Sequence, residues 1–305
     1  MSQAHTYRGR FAPSPSGPLH FGSLVAAVAS YAQARHQRGA WLVRIDDVDG
    51  PREVAGASAL ILQTLEAYGF VWDELPVYQS QRGTAYQAAL DALVRDRLVY
   101  GCTCSRREVA DSSARGIEGP IYPGTCRHAA PEDTTLGALR LHVGSEDVCF
   151  EDHWQGRIVR SMSRDYGDFV LRRADGVISY HLACVVDDAH ANVTEVVRGA
   201  DLLESTPRQI LLYRLLGLST PRYGHVPIAM DAVGDKLSKQ THAPAIRPDR
   251  AAATLVDALR FLGQNPPRHL ALGTITKVWE WAIAAWRPEA VPSRHAQPIP
   301  VSDSL

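Results

Sequence analysis

"RFAPSPSGPLHFGS" (residues 10–23) decides how the rest of the chain is read. Residues 7–12 read as a first β-strand, and the run from about 19 to 38 as a helix. Pro13, Pro15 and Pro18 fix the shape of the loop between them, while Gly17 and Gly22 let a ligand come close to the backbone. The first amides of a helix have no partner within it, and its dipole is positive at that end. Strand, stiff turn and helix start therefore predict an anion site. His20 stands at the helix start, where its ring can donate to a phosphate oxygen.

Outward from this unit the alternation continues. "WLVRID" (41–46) reads as a buried strand, and "REVAGASALILQTLEAYGF" (52–70) as a helix stopped by Gly69. "TAYQAALDALVRDRLV" (84–99) reads as the next helix. Strands alternating with helices predict an α/β fold with a parallel, doubly wound sheet. Residues 101–150 break the rhythm with Gly, Pro and Ser around three cysteines, which predicts an inserted subdomain. Strands resume in "GVISYHLACVVDD" (176–188) and "VTEVVRGADL" (193–202), placing Cys184 in an apolar strand. The helix "STPRQILLYRLLG" (205–217) carries Pro207 in its first turn, where a missing N–H costs little. The organisation is thus 1–100 and 151–245 as the two halves of one catalytic domain, 101–150 as the insertion, 246–285 as a helical segment and 286–305 as a mobile tail.

Composition narrows the function classes. The chain has 32 basic and 33 acidic side chains, a net charge of −1, so bulk charge does not bind it to nucleic acid; a local basic face still can. Five cysteines in 305 residues do not form a disulfide framework, and no leader or membrane-spanning run is evident, which predicts a cytoplasmic protein without a membrane partner.

The chemistry-bearing residues fall at strand ends and in one late loop. "DKLSKQ" (235–240) offers Lys236 and Lys239 around Ser238, mobile donors for charge building on a leaving pyrophosphate. Arg10 ends the first strand and can grip a carboxylate with its fork; Asp46 ends the next and suits an ammonium group. Tyr180 and Arg198, on or just after later strands, complete a small-acid pocket.

Together these motifs resemble class I aminoacyl-tRNA synthetases. His20-Phe21-Gly22-Ser23 stands where that class has "HIGH", and Lys236-Leu237-Ser238-Lys239-Gln240 where it has "KMSKS". "RFAPSPSGPLHFGS", "RIDD", "YHLACVVDD", "VRGADL" and "KLSK" are similar to the glutamyl-tRNA synthetase catalytic domain, over about residues 7–265. The resemblance implies a Rossmann-type catalytic domain that uses ATP with Mg²⁺. It implies L-glutamate held by Arg10, Phe11, Ala12, Pro13, Ser14, Asp46, Tyr180 and Arg198. ATP falls to His20, Gly22, Ser238 and Lys239, and the catalytic groups are His20, Lys236 and Lys239. Departures are Ser23, Gln240, Asp46 in place of the usual glutamate, and Ala189 where a histidine often follows the paired aspartates.

Cys102, Cys104 and Cys126 predict one structural Zn²⁺ in the insertion; spacing leaves the fourth ligand open between Tyr122 and His128. Only residues 247–305 follow the lysine loop, too few for the helical anticodon-binding domain of a full glutamyl-tRNA synthetase. This shortness, with the cysteine-bearing insertion, resembles the branch of the family that glutamylates queuosine at the wobble position of tRNA(Asp). That branch implies Tyr122 as the zinc ligand and the queuosine-bearing anticodon stem-loop of tRNA(Asp) as partner. The expected state is a monomer. The competing readings are conventional charging of a tRNA 3′ end and a catalytically silent, zinc-stabilised RNA-binding module.

Overall fold

The computed structural model describes residues 7–112, 114–127, 137–231, 234, 237 and 244–299. Strand β1 (Arg8–Phe11) leads through the Pro/Gly loop into α1 (Phe21–His36), and β2 (Ala40–Ile45) returns parallel to β1, with Arg8 opposite Ala40 and Phe11 opposite Val43. Helix α2 (Ala57–Ala67) stops as expected, with Gly69 at φ +73°. Strand β3 (Val77–Tyr78) adds parallel to β2 and is followed by α3 (Gly83–Arg95) and β4 (Val99–Cys102).

The insertion then begins. It contains α4 (Arg106–Ser112), the two-residue strands β5 (Arg115–Gly116) and β6 (Gly119–Pro120), and β7 (Ala138–Leu141). The hairpin β8 (Asp147–Asp152) and β9 (Gly156–Ser161) follows, then β10 (Val170–Arg172). Strands β10, β7 and β4 form one antiparallel sheet, so the interruption runs past residue 150, to β10.

Helix α5 (Tyr180–His190), β11 (Glu195–Gly199), α6 (Thr206–Leu215) and β12 (Arg222–Val226) restore the alternation. Strands β11 and β12 are parallel, and Thr194 donates its N–H to the Arg8 carbonyl at 2.9 Å, laying β11 along the other edge of β1. The central order is β3-β2-β1-β11-β12, continued past β12 by the hairpin β8 and β9, and the order reverses between β1 and β11. In such sheets ligands sit at the carboxyl ends of the strands at this point.

The remaining elements are β13 (Ile228–Met230), α7 (Ala251–Phe261), α8 (Ile275–Ala285) and β14 (Ala296–Pro298). Helix α1 is buried almost all round, between the sheet and α7 and α8. Its small Ala27, Ala29, Ala32 and Ala34 let both sides approach. Tyr31, Trp41, Phe70 and Trp279 pack edge-on and stacked beside it, with centroids 4.7–5.4 Å apart. On the opposite face α3, α5 and α6 close a second core around Leu90, Leu182, Val185 and Leu211. No helix among the described residues is long and apolar enough to cross a membrane.

Two expectations are corrected. The segment expected as a strand at 176–188 is helical from Tyr180 onward. Ser179 caps it, its Oγ accepting from the Leu182 N–H at 3.4 Å. Its polar and apolar residues then fall on two helical faces: Leu182 and Val185 enter the second core, while Tyr180, Cys184 and Asp188, spaced four apart, turn toward β1 and β2. The tail from Trp286 to residue 299 is packed rather than mobile. Trp286 donates its indole N–H to Gln33 Oε1 at 2.8 Å, Val291 is buried, and β14 pairs in parallel with β13. Residues 300–305 lie outside the described residues.

Candidate active site

The loop after β1 and the start of α1 form one wall of a cavity of about 450 Å³. Arg10, Phe11, Ala12, Pro13, Ser14, His20 and Gly22 line it from this side; Tyr180 and Arg198 face them from α5 and β11. Nine of the residues singled out by sequence thus meet in one place. His20 is the N-cap of α1, and its Nδ1 accepts from the Ser23 N–H at 3.4 Å. A ring that accepts through Nδ1 carries its proton on Nε2, so it is a donor on the other side.

Lys236, Ser238 and Lys239 lie outside the described residues, but Leu237 between them is described. Leu237 lines the same cavity, and its N–H donates to the Ala229 carbonyl at 2.9 Å. A Cβ on Gly22 would stand 3.4 Å from the Leu237 carbonyl oxygen and 3.2 Å from the His20 ring. The tight approach at Gly22 is to the His20 ring, and the Leu237 carbonyl of the late loop lies in van der Waals reach beside it. Ile246, just past that loop, donates to the Leu19 carbonyl at 3.0 Å and ties its other end down.

Arg198 is held on every side. Its Nε donates to His225 Nε2 at 3.0 Å, and its Nη2 to Thr206 Oγ1 at 2.9 Å and to the Leu202 carbonyl at 3.3 Å. Its Nη1 reaches the Tyr180 hydroxyl at 3.5 Å. His225 is fully buried, with Nδ1 2.5 Å from Asp152 Oδ2. Burial brings its imidazole down to about 4 despite the raising contact with Asp152. The ring is neutral at neutral pH: Nδ1–H faces the carboxylate, and the Nε2 lone pair receives Arg198.

Arg10 and Asp46 differ from the simplest sequence reading. The Arg10 fork is already bidentate on Asp188, with Nε and Nη2 both at 3.2 Å. Arg10 lines the cavity from this fixed position. Asp46 lies outside the cavity lining and borders two adjoining openings instead. Arg44 holds its carboxylate, Nε to Oδ1 at 2.6 Å and Nη2 to Oδ2 at 3.3 Å. Arg44 also reaches Asp188 at 2.5 Å, and Cys184 Sγ lies 3.3 Å from Arg44 and 3.8 Å from Asp46. Burial raises the Asp46 carboxyl, outweighing Arg44. Burial would also raise Asp188, but Arg10 and Arg44 together hold it below the usual carboxylate range.

In the insertion, the Cys102, Cys104 and Cys126 sulfurs lie within 4.8 Å of one another. Cys104 Sγ is 3.5 Å from Cys126 Sγ and 3.6 Å from the Tyr122 hydroxyl, close to the ~3.8 Å edge of a tetrahedron of thiolates about a zinc-sized ion. The cluster could hold a metal ion. His128 lies outside the described residues.

Sequence reasoning missed Arg44, Cys184, Asp188, Asp152 and His225 as parts of the site. Arg44 had a signal, since residues two apart on a strand share a face with Asp46. Asp152 and His225 had none, standing 73 residues apart.

A parallel sheet with its cleft at the switch point, an anion cradle at α1 and a late loop laid on it define a class I synthetase catalytic core. Residues 6–265 match the family model for tRNA synthetases class I (E and Q), catalytic domain. The glutamyl-Q tRNA(Asp) synthetase of Dechloromonas aromatica is 57% identical over 94% of this chain and 96% of its own length. That of Chromobacterium violaceum is 50% identical over 99% and 100%. The glutamate tRNA ligase of Elizabethkingia meningosepticum, solved with its amino acid, has the same fold, with a TM-score of 0.78 at 23% identity over 97% of this chain and 67% of that one. The chain belongs to the class I glutamate and glutamine tRNA synthetases, in the glutamyl-Q tRNA(Asp) synthetase group.

Proposed function

We propose that the protein activates L-glutamate with ATP and transfers it to the queuosine base of tRNA(Asp). The observation that carries this reading is the single cavity in which the loop 12–23, Arg10, Arg198, Tyr180 and Leu237 converge. Glutamate lies between the two arginines, its ammonium toward Asp46 through a water, and ATP lies along the α1 start. The glutamate α-carboxylate attacks the α-phosphorus, and pyrophosphate leaves under donors from the loop amides, His20, Lys236 and Lys239. Mg²⁺ travels with the ATP and offsets charge on its phosphates. A hydroxyl of the queuosine cyclopentene ring then attacks the glutamyl carbonyl, and AMP leaves. The setting is cytoplasmic and the chain acts as a monomer.

The test is labelled glutamate transfer to tRNA(Asp) with and without queuosine. Labelling is expected only on the modified tRNA. Equal labelling of both, or label recovered on the 3′-terminal adenosine after nuclease digestion, means conventional charging instead.

Cys102, Cys104, Cys126 and Tyr122 would hold one structural Zn²⁺, which cross-links a loop with little core of its own. Metal analysis should find about one zinc per chain, and Cys104→Ser should lose it. The thermal midpoint should fall by at least about 5 °C, given roughly 2 °C per kcal/mol at this size. A metal-free preparation with an unchanged midpoint would refute the ligand set.

A further inference from the structure

Beside the amino-acid cavity lies a second opening of about 540 Å³, inside the roughly 300–1,000 Å³ range of small-ligand sites. The two share Ser14 and Tyr180 as a common wall. Its other walls come from both parts of the molecule: Arg106 opens α4 in the insertion, and Arg173 follows β10. Asp46 and Asp49 also line it. So does Gln79, which is fully buried, donates from Nε2 to Asp187 at 2.9 Å, and has no partner for Oε1 among the described residues. A buried acceptor without a donor is destabilising, and a ligand hydroxyl or N–H would satisfy it.

We infer that this cleft is the acceptor subsite, taking one modified nucleotide splayed out of a tRNA loop; the inference rests on the function proposed above. The chemistry sets the requirement. After activation the acceptor hydroxyl must reach the glutamyl carbonyl, so its pocket must share a wall with the amino-acid cavity. A third opening of about 310 Å³ also borders Ser14, but Asp46, Asp47, Asp49 and Glu53 line it against the one cation of Arg52, which repels a phosphodiester. The larger cleft carries three arginines, Arg52, Arg106 and Arg173, against two carboxylates. Arg106 is exposed, and Arg173 is fixed by Asp49 at 3.3 Å and Asp175 at 2.6 Å. In this reading the arginines take the phosphates flanking the base, and Asp49 takes its amine. Gln79 Oε1 accepts from a ring hydroxyl, and the Tyr180 ring offers a stacking face. The insertion thereby gains a role beyond packing, since it supplies Arg106.

Arg106→Ala with Arg173→Ala, and separately the charge reversal Arg106→Glu, are assayed for glutamate transfer to queuosine-bearing tRNA(Asp) across a salt series. The KM for tRNA should rise about tenfold or more in each. The slope of log KM against log salt should flatten by about 0.7 for each phosphate that is no longer neutralised. Glutamate-dependent ATP–pyrophosphate exchange by the unsubstituted chain reports the proposed function separately, because it needs no acceptor. Exchange with an unchanged tRNA KM and salt slope in both variants overturns the subsite alone. If the unsubstituted chain shows no exchange, the proposed function and the subsite fall together.

Discussion

Arg198→Lys is expected to lower kcat/KM for glutamate in the exchange reaction by two to three orders of magnitude, about 3–4 kcal/mol. The charge is kept, so the loss measures geometry. Arg198 spends Nε on His225, Nη2 on Thr206 and the Leu202 carbonyl, and Nη1 beside Tyr180; one planar fork meets all of them. An ammonium has three donors about a point and cannot span these partners while presenting charge to a carboxylate. His225 makes the arrangement robust near neutrality. Its imidazole sits at about 4, below its ordinary value near 6.5, so Nε2 stays an acceptor until the medium is well acid. The sign follows: this group's contribution to stability is complete above about 6.5 and is lost as pH falls toward 4, when the unfolded chain takes up the proton first. The KM for glutamate should accordingly show no inflection from His225 between pH 6.5 and 8. A change of less than threefold in Arg198→Lys would remove Arg198 from amino-acid recognition.

The site was partly legible because chemistry at the carboxyl ends of parallel strands leaves local marks. Arg10 and Arg198 stand one residue before the ends of their strands and Asp46 directly follows one, and the Pro/Gly loop announces the anion cradle between β1 and α1. The alternation of strand and helix fixed the sheet class for the same reason. What stayed hidden depends on partners distant in sequence. "VISYHLACVV" is rich in residues that favour strands, and only the Ser179 cap and burial on two sides make it helical. Read as a strand, it puts Tyr180, Leu182 and Cys184 on one face; as a helix, it brings Tyr180, Cys184 and Asp188 to the site together. The Asp152–His225 pair has no linear signature. Proline in the tail suggested mobility, while Trp286 and Val291 were the anchors that composition averaged away.

Asp188→Asn should cost about 3–5 kcal/mol of unfolding free energy, the usual result of removing one partner from a buried ionic cluster. Asp188 is buried and carries two guanidinium groups, Arg10 through both oxygens and Arg44 at 2.5 Å. A neutral amide keeps the shape but takes the carboxylate from Arg10 and leaves Arg44 with Asp46 and, at 3.9 Å, Asp187; its own NH₂ has no acceptor facing it from either arginine. The carboxyl is held low by those arginines against the raising effect of burial. Its contribution is therefore present above the ordinary carboxylate pKa and lost as pH falls through the lowered folded value. The stability difference between Asp188→Asn and the unsubstituted chain should be full at pH 7 and shrink in strong acid. Asp249→Asn, which breaks only the exposed pair with Arg247, should leave the denaturation midpoint where it was. Because Arg10 also lines the amino-acid cavity, the KM for glutamate should rise in the same variant. A rise in KM without loss of stability would mean that the cluster positions the arginines but contributes nothing to holding α5 against β1 and β2. Loss of stability with an unchanged KM would mean the reverse.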